Sequence, residues 1–227
     1  VPFREHERIL TEDLLKLPER GLVEAWQEGH ALSVNGDAFS ARGWYVLLYR
    51  DVFRDRKVLD VGCGLAPTTI YFAEQGAKVT FLDLVESNVE VVRRICEAKG
   101  LRHVNFCYLE DLDSLKLLPP DYDFVYCCGS LICVPWEAAR REAQALLEHL
   151  PAGGRWIELG YTRKRWEREG ALPFHRWGER TDGGAPWIEW RDLETMQALL
   201  APAEFETVLA LDFHDSDFNW FDMVRCR

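Results

Sequence analysis

The chain has 227 residues, 48% of them apolar, and a formal net charge of −11 at pH 7. That size suits one large domain or one domain with decorations. The negative balance argues against a nucleic-acid backbone as the main partner, because binding phosphates needs a positive field.

The first 56 residues read as helical. Thr11-Glu12-Asp13 opens a helix that Pro18 ends, and a second covers Glu19 to Glu28 and stops at Gly29. Ser40 caps a third, which runs to about Tyr49. No strand pattern occurs here, so residues 1–56 are expected to form a helical N-terminal cap. Alternation then begins. Lys57 to Val61 is a short apolar run, as in a strand buried on both faces. Pro67 suits the first turn of a helix ending near Gly76. Lys78 to Asp83 is a second strand, Glu86 to Lys99 a helix, His103 to Leu109 a third strand and Tyr122 to Cys127 a fourth. A helix from Pro135 to Leu150 leads through a Pro-Ala-Gly-Gly turn to a fifth strand, Arg155 to Leu159. Strands and helices alternating at this spacing imply a parallel sheet with right-handed crossovers. After a helix at about Asp192 to Leu200, two apolar runs, Phe205 to His214 and Phe218 to Arg225, flank Asp215-Ser216-Asp217. That is hairpin chemistry, so one of the last two strands runs antiparallel to the rest.

The seven cysteines form no Cys-x-x-Cys pair and mostly lie in apolar segments, which fits reduced, buried thiols. The charged start, Val1 to His6, lacks the apolar core of a secretion signal, and no apolar run approaches the roughly 18–20 residues of a membrane span. The chain does not begin with Met, so its first residues are expected to be trimmed. A cytoplasmic protein without membrane partners is expected. No His/Cys/Asp set has metal-ligand spacing, so no metal is expected.

The chemistry concentrates in Val58-Leu59-Asp60-Val61-Gly62-Cys63-Gly64 and in Val79-Thr80-Phe81-Leu82-Asp83. An apolar strand ending in two glycines, then a helix, then a strand ending in a carboxylate is a nucleoside-binding unit. A dinucleotide site needs a third glycine for its pyrophosphate, and Pro67 stands where that glycine belongs. With these features the chain resembles, over residues 57–227, the class I S-adenosylmethionine (SAM)-dependent methyltransferases. Their first motif is matched by Asp60, Gly62 and Gly64, and their ribose-holding acidic residue by Asp83, with Leu84 following it. Their adenine-side motif is matched by Glu110-Asp111-Leu112, where either carboxylate could accept the adenine amino group, and their fourth strand by Tyr122 to Tyr126. The resemblance implies a doubly wound, mostly parallel seven-stranded α/β sheet with an antiparallel last strand, and SAM as cofactor. It also places carbonyls near Cys127 at the methionine head.

The resemblance also implies an acceptor. The Asn/Asp-Pro-Pro-aromatic tetrad of amine-methylating DNA enzymes is missing, since its position reads Cys127-Cys128-Gly129-Ser130, and so is the Pro-Cys of cytosine-C5 enzymes, since Cys133 is followed by Val134 and Pro135 precedes Trp136. A small-molecule acceptor and no nucleic acid are therefore expected. Residues 161–190 are too long for an ordinary connection and read as a lid. It holds four of the nine tryptophans (Trp166, Trp177, Trp187, Trp190) and a basic cluster of Arg163, Lys164, Arg165, Arg168 and Arg176. Trp with Arg suits stacking on a flat ring or sugar face and neutralising an anion. Arg163, Arg176 and Trp177, with Tyr45 and Tyr49 from the cap, are the candidate acceptor contacts. Candidate general bases are His175, His214 and Glu158, with His175 favoured by its rigid aromatic setting. The pattern looks like bacterial small-molecule methyltransferases of secondary metabolism or glycan assembly, which implies O-methylation of a sugar or related metabolite, phosphorylated ones included. Methylation of a small amine, and a non-catalytic SAM-binding subunit, stay open beside it. The oligomeric state is not legible.

Overall fold

A computed structural model describes residues 11–28, 44–65, 67–181 and 185–227 in full, with backbone alone at 3–4, 7–8, 29–35 and 37–43. Two short strands, β1 (Phe3–Arg4) and β2 (Glu7–Arg8), pair antiparallel where no strand was expected. Two-residue strands are too short for an alternation to register in sequence. Three helices follow: α1 (Thr11–Leu15), α2 (Glu19–Asn35) and α3 (Asp37–Val52). Helix α2 runs straight through Gly29, which was expected to stop it. An interior glycine costs only about 1 kcal/mol against alanine, and Leu22, Ala25 and Trp26 bury a helical stripe that offsets it.

The alternating part holds β3 (Lys57–Val61), α4 (Pro67–Glu74), β4 (Lys78–Asp83), α5 (Glu86–Ala98) and β5 (Asn105–Tyr108). A 3-10 turn at Leu112–Leu117 precedes β6 (Phe124–Cys128), and another at Leu131–Cys133 precedes α6 (Trp136–Leu147). Then come β7 (Arg155–Tyr161), α7 (Arg163–Arg168), α8 (Phe174–Arg180), α9 (Leu193–Leu200), β8 (Phe205–Phe213) and β9 (Phe218–Arg225). The seven-stranded sheet has the order β5-β4-β3-β6-β7-β9-β8. Strand β9 is antiparallel to both its neighbours, the expected antiparallel last strand.

The chain divides into two compact units, residues 1–114 and 115–227. In the first, β3, β4 and β5 are parallel and almost wholly buried along β3 and β4, which explains their unbroken apolar sequence. Helix α5 buries Val91, Val92, Ile95 and Cys96. Arg94 donates to the carbonyls of Leu15 (2.8 Å) and Leu17 (2.7 Å), which holds the end of α1 against α5. In the second unit, β6 and β7 are parallel, and Trp156, Trp177 and Trp220 are fully enclosed. The long segment after β7 folds into α7 and α8 and returns beside the strand, where Trp190 bridges Tyr161.

Candidate functional site

In the first unit the chain turns sharply after β3. Gly62 and Gly64 have φ of 68° and 62°, left-handed values that an L side chain adopts only with strain. A Cβ added at Gly64 would meet nothing within 4 Å, so open space borders the turn. Asp83 closes it. Its Oδ2 accepts the N–H of Gly64 (3.1 Å), and its Oδ1 accepts from the N–H of Val85 (2.8 Å) and Nδ2 of Asn88 (3.2 Å). Burial pushes the Asp83 carboxyl above its ordinary range, against the pull of these three donors.

Asp60 lies deeper, at 1% exposure. Its Oδ2 accepts the hydroxyl of Thr69 on α4, while Oδ1 has no partner. Burial raises this carboxyl to about 7, opposed by hydrogen bonds from Thr69 and Cys63. Asp60 thus anchors α4 from behind the turn. Around the ends of β4 and β5 four apolar side chains are left exposed: Leu84, Val85, Tyr108 and Leu112. Asp111 caps the 3-10 turn through Ser114 N–H (3.1 Å), and Glu110 is exposed beside it. Trp26, which the sequence did not single out, donates its indole N–H to the carbonyl of Leu65 in the glycine turn (3.1 Å). Thr69 and Asn88 were missed in the same way. Tyr45 and Tyr49 are buried, and Tyr49 stacks toward Phe53 (centroids 5.4 Å apart), so α3 spends them on packing.

In the second unit Cys127 is buried near the end of β6, and its carbonyl accepts the N–H of Gly129 (3.2 Å). Glu158 is fully enclosed in mid-β7. Its Oε2 accepts the indole N–H of Trp156 (3.0 Å) and its Oε1 has no partner. Burial raises it to about 7, opposed by the Arg191 charge and the Trp156 bond. His214 is exposed in the β8–β9 turn, 3.2 Å from Asp217. His175 is exposed at the start of α8, with its ring 6.5 Å from that of Trp187.

The segment 161–190 differs from the expectation of a basic, anion-receiving surface. Trp177 is wholly enclosed, its indole N–H on Glu169 (2.6 Å), and packs edge-on to Tyr161. The lid cations carry their own counter-ions: Arg163 pairs with Glu167, Lys164 with Asp212, Arg165 with Glu169 and Arg168 with Asp217. Arg176 sits 3.9 Å from Glu179 and is exposed. Two of these pairs are i,i+4 partners on α7, a spacing that brings opposite charges together on any helix. Trp166, Phe174, Trp187 and Trp190 form a chain of ring contacts, with centroids 5.8–6.2 Å apart. A cavity of about 420 Å³ between α7, the start of α9 and the β8–β9 hairpin is lined by these already paired charges. Among the described residues no three His, Cys, Asp or Glu side chains converge as metal ligands, and no helix is long and apolar enough to cross a membrane.

Residues 58–154 match the family described as "Methyltransferase domain". The ubiquinone biosynthesis O-methyltransferase of Rickettsia conorii is 37% identical over 73 residues, 31% of this chain and 24% of that protein. That of Xylella fastidiosa is 37% identical over 99 residues, 44% of this chain and 39% of that protein. The chain spans less than half the length of these curated relatives. Among solved structures, the magnesium protoporphyrin IX methyltransferase of Synechocystis with bound S-adenosylhomocysteine (SAH) superposes with a TM-score of 0.62 at 20% identity, covering 81% of each chain. The N-methyltransferase NodS of Bradyrhizobium japonicum, also with SAH, superposes with a TM-score of 0.62 at 15% identity, covering 96% of this chain and 97% of that one. At such identities the likeness is one of fold.

Proposed function

We propose that this chain, whose residues 58–154 match a methyltransferase domain, is a class I SAM-dependent methyltransferase that transfers the methyl group of SAM to an oxygen of a small polar acceptor. The observation that carries the cofactor half is the turn after β3: two left-handed glycines, open space at Gly64, and a strand-end carboxylate facing it. Asp83 would hold the ribose hydroxyls, a charge-assisted contact. Leu84 and Leu112 would flank the adenine, with Glu110 or Asp111 at its amino group. Asp60 would keep the turn in shape through Thr69, and the backbone around Cys127 would meet the methionine head. No pyrophosphate needs housing, so the missing third glycine is no loss.

Bound SAM supplies a methyl carbon on a sulfonium leaving group, open to in-line displacement. The protein's part is alignment, exclusion of water and removal of one proton. His175 is our candidate to take the acceptor's hydroxyl proton, since it is exposed, whereas Glu158 is sealed in the strand and His214 sits by Asp217. The half-buried rings of Trp166 and Trp187 would give the acceptor a flat wall.

We favour a sugar or related hydroxylated metabolite. The internal pairing of the lid cations means that the acceptor need not be anionic, which weakens the phosphorylated version of this proposal. Small-molecule chemistry without nucleic acid, in the cytoplasm, completes it. The similarity to ubiquinone biosynthesis O-methyltransferases supports oxygen over nitrogen. Methyl-labelled SAM and pools of hydroxyl and amine acceptors test it: label in a hydroxyl compound is the expected result, label in an amine selects N-methylation, and label in neither rejects turnover.

A further inference from the structure

Glu189 and Arg191 form an ion pair, 2.9 Å from Oε2 to Nη1, almost wholly enclosed at 6% and 1% exposure. Each reaches past the other. Glu189 Oε1 accepts the backbone N–H of Trp136 (3.0 Å) and the indole N–H of Trp187 (3.0 Å). Helix α6 follows Pro135, which offers no side-chain cap. Glu189, 53 residues along the chain, therefore brings the carboxylate that a helix N-terminus favours. Arg191 Nη2 donates to the carbonyl of Leu131 (3.1 Å), and its guanidinium lies 5.5 Å from the centre of the Trp136 ring. The N–H of Glu189 donates to the carbonyl of Ile132 (2.8 Å).

The returning arm of the lid, residues 187–191, is thus joined to residues 131–136, the segment that leaves the end of β6. The arm is held from its other side as well. Arg191 N–H donates to the Tyr161 carbonyl (2.9 Å), and Asn219 Nδ2 donates to the Arg191 carbonyl (2.5 Å). Gly160 makes room for this crossing: a Cβ there would lie 2.7 Å from Asn219 Oδ1 and 3.4 Å from Arg191 Cβ.

A buried ion pair stabilises a fold poorly compared with apolar packing, and its best-attested use is to fix one geometry. We propose that Glu189 and Arg191 are positioning residues for methyl transfer, locking the lid arm and the segment after β6 into one wall for the acceptor. This rests on the methyl-transfer function proposed above, since the wall's placement affects catalysis only when an acceptor binds against it.

Glu189→Gln, Arg191→Met and Arg191→Lys test it against the parent chain with methyl-labelled SAM. A misplaced wall is expected to lower kcat/KM for the acceptor by about tenfold to a hundredfold in the first two. SAM affinity by calorimetry is expected to stay within about twofold of the parent, and the Glu189→Gln/Arg191→Met double variant to be no worse than its worse single, as for groups acting as a unit. Lysine keeps the charge and is expected to restore part of the loss. Acceptor kcat/KM within about twofold of the parent in the singles, or SAM affinity falling in step with it, would overturn the proposal. Amide exchange on Glu189→Gln supplies a readout that needs neither acceptor nor turnover. Protection is expected to fall together in 131–136 and 187–191 while that of α5 holds. Unchanged protection in either segment overturns the joint wall, whereas a parent that methylates nothing overturns only the function on which it rests. Should Arg191→Met not fold, Glu189→Gln decides.

Discussion

Asp83 Oδ2 accepts the backbone N–H of Gly64, 19 residues earlier in the chain, at 3.1 Å. One bond therefore ties the end of β4 to the turn after β3, and the same carboxylate holds the entry to α5 through Val85 and Asn88. A carboxylate oxygen offers two lone pairs. Both donors on the far side use Oδ1, and Oδ2 takes the Gly64 N–H alone. Sequence position, backbone conformation and hydrogen bonding thus meet at the turn after β3.

Gly64→Ala tests the turn itself. At φ of 62° an alanine costs about 1–2 kcal/mol, and no neighbour blocks its Cβ. The variant is expected to fold with a modestly lower thermal midpoint and to lose at least about tenfold in SAM affinity, because the methyl group enters the space assigned to the ligand. Affinity equal to the parent by calorimetry would place the cofactor elsewhere.

His175→Ala is expected to lower turnover by about a hundredfold or more, the usual worth of a positioned general base, with SAM affinity unchanged. The ring is exposed, 6.5 Å from that of Trp187, so stability should hardly move. Turnover equal to the parent removes His175 from the proton transfer.

Glu158 gives the chain a pH signature. Unfolded, this carboxyl releases its proton at about 4.3; folded, burial holds the proton until about 7. Between those values the native state binds more protons than the unfolded one, so stability falls as pH rises through the window. Glu158→Gln cannot titrate. Urea unfolding at pH 5 and pH 8 should therefore show the parent losing on the order of 1–3 kcal/mol relative to the variant. Parallel pH profiles for the two proteins would show that Glu158 is ionised in the native state across that range.

Asp222 joins Arg155 across β9 and β7, through Oδ1 to Nε at 2.8 Å and through a second contact from Nη2. Asp222 is 1% exposed, and Arg155 also lies 5.4 Å from the Phe124 ring centre. Asp222→Ala removes both charge-assisted bonds to Arg155 and is expected to cost about 1.5–3 kcal/mol in urea unfolding. A loss below about 1 kcal/mol would mean that Arg155 swings out to water, as an exposed pair allows.

Much of the frame was readable because burial on both faces writes itself as apolar runs. Val58 to Val61 and Val79 to Leu82 are such runs, and their register puts Asp60 beside Phe81 and brings Asp83 to the strand end. The last hairpin was readable from its polar turn. What escaped was set by partners distant in sequence. Thr69 on Asp60, Trp26 on the glycine turn and Glu189 at the start of α6 have no local pattern, since each serves a group brought near only by folding. The lid is a different case. Arg163 with Glu167 and Arg165 with Glu169 stand four apart, so their pairing was present in the sequence as spacing, although the cluster stood out first by its charge. Tyr49 and Trp177 were singled out as aromatic, and aromatic rings are spent on cores more often than on ligands.

Calorimetric titration of SAH into the parent chain and into Asp83→Ala addresses the proposed cofactor site directly. The parent should bind with micromolar or tighter affinity, and the variant about ten- to a hundredfold more weakly, the worth of one or two hydrogen bonds to a charged group. No heat from the parent at millimolar SAH, or equal affinity in the two proteins, would contradict the assignment of the Gly62–Gly64 turn and Asp83 to an adenosyl ligand.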